Sequence, residues 1–323
     1  MKKFKAAFVT DSGWERVNYV YTKAQQQEIS EMTQLLPEVY GSADILAGKL
    51  ADIEVIFSTW GMPSLNAEMM AQMPKLQAIF YGAGATDAFA RACFERKVKV
   101  FSAWQANAIP VAEFCLGQIL LGLKGYFRYA RTLDAREKYN QQMVGPGCYG
   151  ESVALIGAGA ISGKLQELLK AFHVKVEVVP SRKEKRTVSL EEVFAKSMVV
   201  SNHLPDRDDN VGVLDGKLFS SMREGAVFIN TGRGRQVNEA ELVEVLKKRP
   251  DLTALLDVTF PEPPENDSEL YKLPNVFLTP HIAGSLNDEV HRMADYMIAE
   301  YKRFVNGEEN LYEVKESMLL TSK

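Results

Sequence analysis

Arg233, Glu262 and His281 each follow an apolar, strand-like run: Ala226 to Asn230, Leu252 to Asp257 and Val276 to Thr279. In an open parallel α/β sheet, consecutive strand ends face one crevice, so a cation, a carboxylate and an imidazole can converge there. That trio suits proton transfer at a carbonyl beside a carboxylate. An acid next to an imidazole favours the imidazolium, which can protonate a developing alkoxide. An arginine can hold the anionic substrate through its planar fork. Each residue also has a plainer reading: Glu262, between Pro261 and Pro263, as a loop acid with a restricted backbone, and Arg233 as the ion-pair partner of Glu239. Of the four histidines, His173 and His291 read as surface or packing residues, and His203, after the apolar run Met198 to Val200, as a residue lining a cofactor cleft.

These residues need parallel strands to position them. Short β-rich runs (Lys5 to Val9, Ile53 to Ser58, Leu76 to Tyr81, Lys97 to Phe101) alternate with helical patterns at Ala67 to Met73 and Thr86 to Arg96, as in βαβ units. Ile109-Pro110 opens a long helix, with proline in its first turn. Its apolar first half is expected to be buried between domains or subunits, and Gly145-Pro146-Gly147 breaks the chain after it. A second α/β block starts at Ser152. Within it, Asn238 and Glu241 resemble a capping box, and Ser285 is expected to cap a last helix that ends near Asn306-Gly307.

Between the strand Ser152 to Ile156 and a helix with Leu165, Leu168, Leu169 and Phe172 on one face lies Gly157-Ala158-Gly159-Ala160-Ile161-Ser162-Gly163. Such a turn lets backbone approach a pyrophosphate at a helix N-terminus, where free N–H groups and the dipole favour anions. Ser162 stands where G-x-G-x-x-G has its third glycine. After the next strand, Val174 to Val179, an NAD site usually places an acid for the ribose hydroxyls. This chain has Pro180-Ser181-Arg182-Lys183 there, and Glu177 lies inside the strand. A hydroxyl with cations suits a 2′-phosphate, which leans the cofactor toward NADP(H); the alternative is a solvated basic loop continued by Lys185 and Arg186.

The 323 residues suffice for two domains. With 46% hydrophobic and 25% charged residues the composition is globular, not disordered. A formal charge of -4 and a pI near 5.8 give no general attraction to nucleic acid or anionic lipid. Cys93, Cys115 and Cys148 are odd in number and lack C-x-x-C spacing, so neither a disulfide framework nor a metal site is expected, and a cytoplasmic setting fits. The start at Met1-Lys2-Lys3 reads as the approach to a first strand and not as a signal peptide. The most apolar segment, Val111 to Leu123, is shorter than the ~20 residues of a membrane span.

The stretches Gly82-Ala83-Gly84, Val111-Ala112-Glu113, the glycine turn, His203-Leu204-Pro205, Asn230-Thr231-Gly232-Arg233-Gly234, Asp257 with Glu262-Pro263, and Pro280-His281 resemble the D-2-hydroxyacid dehydrogenase family. The likeness runs from about Leu76 to Gly307; the part before it matches only in pattern. It implies two Rossmann-like or flavodoxin-like parallel-sheet α/β domains. A dinucleotide-binding domain, 108–284, would be inserted in a split substrate domain, 1–107 plus 285–323. By the same resemblance His281 is the acid/base, Glu262 its partner, Arg233 the group that orients the keto acid, and the backbone of Gly82, Ala83 and Gly84 the cradle of the substrate carboxylate. NAD(P) is expected against Gly157, Gly159, Ala160, Ile161, Ser162, Ser181, Arg182, His203, Leu204, Pro205, Thr231, Gly232, Arg233, Asp257, His281 and Gly284. A homodimer formed through the nucleotide domain, and domain closure over the substrate, are further implications. Trp104-Gln105 departs from the small residues and proline common in the family, which bears on substrate size.

The expected activity is hydride transfer between a nicotinamide cofactor and a small-molecule 2-keto or 2-hydroxy acid. A rival reading is a nucleotide-sensing binding protein of the corepressor kind, since the family includes such proteins and a scaffold does not fix function. Formate dehydrogenase is disfavoured because that subgroup resembles glutamine at the place of Glu262. Trp60, Tyr81 and Trp104 fall near strand ends and read as core or as pocket walls for substrates larger than glyoxylate. No basic cluster that would select a phosphate is evident in the first domain.

Overall fold

The computed structural model describes residues 3–139 and 145–319; Met1, Lys2, 140–144 and 320–323 lie outside the described residues. The chain divides into two compact units, Met1–Asn107 with Ser285–Lys323, and Ala108–Gly284.

In the first unit, β1 (Lys5–Val9), β2 (Gln34–Tyr40), β3 (Val55–Ser58), β4 (Ala78–Tyr81) and β5 (Lys99–Ser102) pair in parallel in the order β2-β1-β3-β4-β5. Strands β3 and β4 are buried along their whole length, as expected of a sheet covered on both faces. One face carries Phe57, Phe80 and Phe101, stacked with centroids 5.3 and 4.9 Å apart. The helix His291–Asn306 covers them through Met293, Met297, Tyr301 and Phe304. That apolar seam is why the chain's last segment belongs to the unit its first residues build.

β2 has no counterpart in the sequence reading. It is an edge strand in which only Tyr40 is buried, with Pro37 inside it, and its pairing slips between Ala6↔Leu35 and Phe8↔Val39. A missing N–H is tolerated at such an edge.

In the second unit, β6 (Ser152–Ile156), β7 (Lys175–Val179), β8 (Val199–Asn202), β9 (Val227–Asn230), β10 (Thr253–Leu256) and β11 (Val276–Leu278) form a parallel sheet in the order β11-β10-β9-β8-β6-β7. Alternate residues face opposite cores. Val153 and Leu155 pack with Cys115, Ile119, Leu165 and Leu169, while Ala154 and Ile156 pack with Val193, Phe194, Phe219 and Leu242. Both sheets begin with the winding 2-1-3-4, so each has a switch point between its first and third strands.

The long helix is Trp104–Leu123, so Pro110 is interior and not in the first turn. With 20 residues and a hydropathy of 1.5 it reaches the length and composition of a membrane span, which the shorter apolar run did not; half of that stretch is buried in the structure. Burial is one-sided, through Val111, Ala112, Cys115, Ile119 and Leu123, while Leu121 is exposed. Ser285 caps nothing: its N–H donates to Asn107 Oδ1, its hydroxyl has no partner among the described residues, and a 3-10 turn, Asn287–Val290, leads into the last long helix. Gly307, at φ +68°, does end that helix.

Candidate active site

Strands β9, β10 and β11 are neighbours and parallel, so the segments after them leave the same edge of the sheet. These segments carry Arg233, Glu262 and His281. His281 Nδ1 donates to Glu262 Oε1 at 2.6 Å, and both side chains keep solvent access, 49% and 40% exposed. The pair leaves Nε2 as the ring nitrogen that can face a substrate.

The loop presenting the imidazole is built around Asp257, at the end of β10. This buried carboxylate accepts from Thr279 Oγ1 (2.6 Å), Ile282 N (2.8 Å) and Ala283 N (2.9 Å), while the His281 N–H donates to the Asp257 carbonyl (3.0 Å). His281 itself lies at φ +53°, an unfavourable region for a side-chain-bearing residue that the surrounding bonds hold in place. The sequence reading set Asp257 against NAD(P); its carboxylate turns inward and organises the loop, because three donors converge on it.

The Arg233 guanidinium donates to the Gly232 carbonyl (2.8 Å) and forms no ion pair among the described residues. The alternative partner, Glu239, accepts the Phe260 N–H at 3.3 Å, and burial raises its carboxyl above the usual range. Arg233 is therefore available to an anion. The loops after β9 and β10 touch so closely that a Cβ at Gly234 would lie 1.9 Å from the Thr259 carbonyl oxygen.

At the switch point between β6 and β8, Gly157 has φ +110°, and a Cβ there would lie 2.4 Å from the His203 carbonyl oxygen. The helix Ala160–Leu169 starts without a side-chain cap, and a Cβ at Gly159 would meet nothing within 4 Å. Free N–H groups at Ala160 and Ile161 beside open space fit a dinucleotide pyrophosphate. Ser162 is buried and donates to the Gly157 carbonyl (2.6 Å), so it closes the turn from beneath and does not face a ligand.

His203 meets the turn by its backbone only. Its buried ring lies between Ser201 Oγ (2.9 Å from Nε2) and Thr231 Oγ1 (3.3 Å from Nδ1), and Thr231 also contacts Cys115 Sγ at 3.4 Å. The expected cleft-lining imidazole is thus a core residue. Burial pushes it down to about 4. An unfolded chain takes up this proton below about pH 6.5, where the folded state refuses it, so stability falls as pH drops from there toward 4, by roughly 3 kcal/mol in all. Thermal unfolding of the wild type should show this slope and His203→Gln should flatten it; equal slopes would remove the assignment.

Past the end of β7, Arg186 donates to the carbonyls of Pro180 (2.9 Å) and Ser181 (3.0 Å), shaping the loop, while Arg182 is exposed. Leu204 and Pro205 accept from Gln236 Nε2, and Gly284 ends the second unit. In the first unit, the Gly82 N–H continues the strand ladder to the Ser58 carbonyl (2.8 Å), so it is spent and cannot join an anion cradle. Ala83 and Gly84 turn their carbonyls to Ser102 Oγ (2.8 and 2.6 Å). Tyr81 is core, packed on Phe89 and pushed up to about 12 by burial; Trp60 and Trp104 are half-buried against the same core. The buried amides Asn202, Asn230 and Gln236 were not foreseen, although polar residues closing the apolar strands β8 and β9 at the site edge are a signal that can be read.

A doubly wound sheet with an open glycine turn at its switch point and an imidazole–carboxylate pair on the same edge is the architecture of a nucleotide-dependent oxidoreductase. The family model for the D-isomer specific 2-hydroxyacid dehydrogenase, NAD binding domain, matches residues 116–283. YoaD of Bacillus subtilis (strain 168), whose name gives it provisionally as a 2-hydroxyacid dehydrogenase, is 34% identical over 292 residues, 86% of this chain and 78% of that protein. The (S)-sulfolactate dehydrogenase of Chromohalobacter salexigens is 28% identical, over 74% of this chain and 81% of its own. Among solved structures, the D-mandelate dehydrogenase of Rhodotorula graminis in its apo form shares the fold with a TM-score of 0.78 at 20% identity, covering 98% of both chains. This chain belongs to the D-isomer specific 2-hydroxyacid dehydrogenase family, and its Ala108–Gly284 unit carries the family's NAD-binding domain.

Proposed function

We propose that this protein interconverts 2-keto acids and D-2-hydroxy acids, with His281 as acid/base, Glu262 as the carboxylate that orients and stabilises it, and Arg233 as the grip on the acid. The observation that carries this is the 2.6 Å bond from His281 Nδ1 to Glu262, which leaves Nε2 to exchange a proton with the substrate oxygen. When bound, the nicotinamide cofactor supplies or accepts the hydride at the substrate α-carbon. In reduction, His281 Nε2 gives its proton to the oxygen that becomes the hydroxyl; in oxidation it takes it back. The Arg233 fork holds the substrate's carboxylate and polarises its carbonyl. Within the first unit, the three-residue anion cradle expected from sequence is reduced to the N–H groups of Ala83 and Gly84, because the Gly82 N–H is bonded to the Ser58 carbonyl. The test is cofactor oxidation by the purified protein with glyoxylate, hydroxypyruvate, pyruvate, branched keto acids and sugar-derived keto acids. No turnover with any of these would end the proposal and favour a nucleotide-sensing role.

For the cofactor we infer a preference for NADPH. No acid stands at Pro180-Ser181-Arg182-Lys183, directly after β7, and Ser181 with the exposed Arg182 offers a hydroxyl and a cation to a 2′-phosphate. Arg182→Ala should lower kcat/KM for NADPH by roughly tenfold, about 1.4 kcal/mol, and leave NADH within twofold. A wild-type enzyme that strongly prefers NADH contradicts this.

A further inference from the structure

Three amides that no reading of the chemistry uses are sealed together, Asn202 and Asn230 as the last residues of β8 and β9 and Gln236 in the 3-10 turn Gly234–Gln236: Asn202 and Gln236 are fully buried, and Asn230 is 1% exposed. Asn202 Nδ2 donates to both Asn230 Oδ1 (2.9 Å) and Gln236 Oε1 (2.7 Å). The acceptors are shared with the backbone of the arginine loop. Asn230 Oδ1 takes the Gly232 N–H (3.1 Å), and Gln236 Oε1 takes the Arg233 N–H (3.2 Å). Gln236 Nε2 donates to the carbonyls of Leu204 (2.8 Å) and Pro205 (2.9 Å), which anchors the glutamine to the segment after β8. Gly232 lies directly on the cluster, since a Cβ there would come within 2.8 Å of both Asn202 Nδ2 and Gln236 Oε1. The last link is the Gly232 carbonyl, which receives the Arg233 guanidinium at 2.8 Å.

We infer that Gln236, through the buried amide cluster with Asn202 and Asn230, is a positioning residue that fixes the backbone of Gly232 and Arg233 and thereby aims the Arg233 guanidinium at the substrate. Burying several amide groups is costly unless every donor and acceptor is met. Here the cluster meets its own needs with backbone groups on both sides of one functional side chain. A guanidinium on a long stem loses its fork geometry if its own backbone drifts by even an ångström, which is enough to cost an oriented contact much of its effect. The inference rests on the proposed role of Arg233 and adds a residue that touches no substrate.

The experiment is a double-variant cycle read as kcat/KM for glyoxylate and hydroxypyruvate with NADPH, at a temperature well below the Tm of every variant. Gln236→Leu alone should lower kcat/KM tenfold or more, mainly through KM for the keto acid. In an Arg233→Ala background the same change should cost less than threefold, because there is no guanidinium left to aim. Asn230→Ser, which removes the acceptor of the Gly232 N–H and leaves the Leu204 and Pro205 contacts intact, should show the same non-additivity and serves if Gln236→Leu does not fold. Equal fold losses in both backgrounds, or an unchanged kcat/KM in Gln236→Leu, overturn the inference while the role of Arg233 stands. An Arg233→Ala variant with near wild-type kcat/KM overturns both.

Discussion

His281→Asn lowers turnover at saturating keto acid and cofactor by about 10²–10⁴-fold, the range for losing a positioned acid. Asparagine fills a similar volume and can still contact Glu262, but it has no group that titrates, so the proton must come from water. Because the His281 and Glu262 side chains are half-exposed, the replacement leaves no large cavity, and the melting temperature should move little. Cofactor binding, measured by fluorescence titration, should stay within a few-fold. Glu262→Gln should fall between the variant and the wild type, since a neutral amide oxygen still accepts the Nδ1–H but no longer stabilises the imidazolium that forms on oxidation. Arg233→Ala should also cost a hundredfold or more, with a rise in KM for the keto acid that His281→Asn lacks. A His281→Asn enzyme that retains near wild-type turnover would exclude the imidazole as the acid.

What could be read from the sequence was what depends on period and order. Continuous apolar runs such as Val153 to Ile156 mark strands buried on both faces, and the helix after the glycine turn shows its stripe. Arg233, Glu262 and His281 share an edge because each follows a strand of one parallel sheet. Features that depend on three-dimensional partners were not legible. β2 carries Pro37 and Glu38 in the middle of its run, so no apolar alternation announces it; its pairing with β1 defines it. Pro110 looks like a helix start, yet the helix begins earlier, at Trp104. Residue type told that Asp257 and His203 matter near the site but not which way they face: one carboxylate turns toward backbone donors and one ring toward two hydroxyls. Gly82 looked like part of an open nest, and its N–H is committed to Ser58.

Asp257→Ala should disable the enzyme as thoroughly as loss of the imidazole, by a different route. The carboxylate is 3% exposed and accepts the Thr279 hydroxyl and the N–H groups of Ile282 and Ala283, which bracket His281 on both sides. Removing it leaves three donors without partners, the buried Ala283 N–H at about 1–3 kcal/mol and the part-buried Thr279 hydroxyl and Ile282 N–H at less. It also frees a residue held at φ +53° to leave that region. A decrease in stability of roughly 2–4 kcal/mol is expected, together with a turnover reduced a hundredfold or more as the imidazole loses its place beside Glu262. Asp257→Asn separates the two effects. It keeps one oxygen for Thr279 and Ile282 and sets an NH2 against the Ala283 N–H, so it should lie between alanine and wild type in both Tm and turnover. If Asp257→Ala were as stable as the wild type, or kept its rate, the loop would need another anchor than this carboxylate.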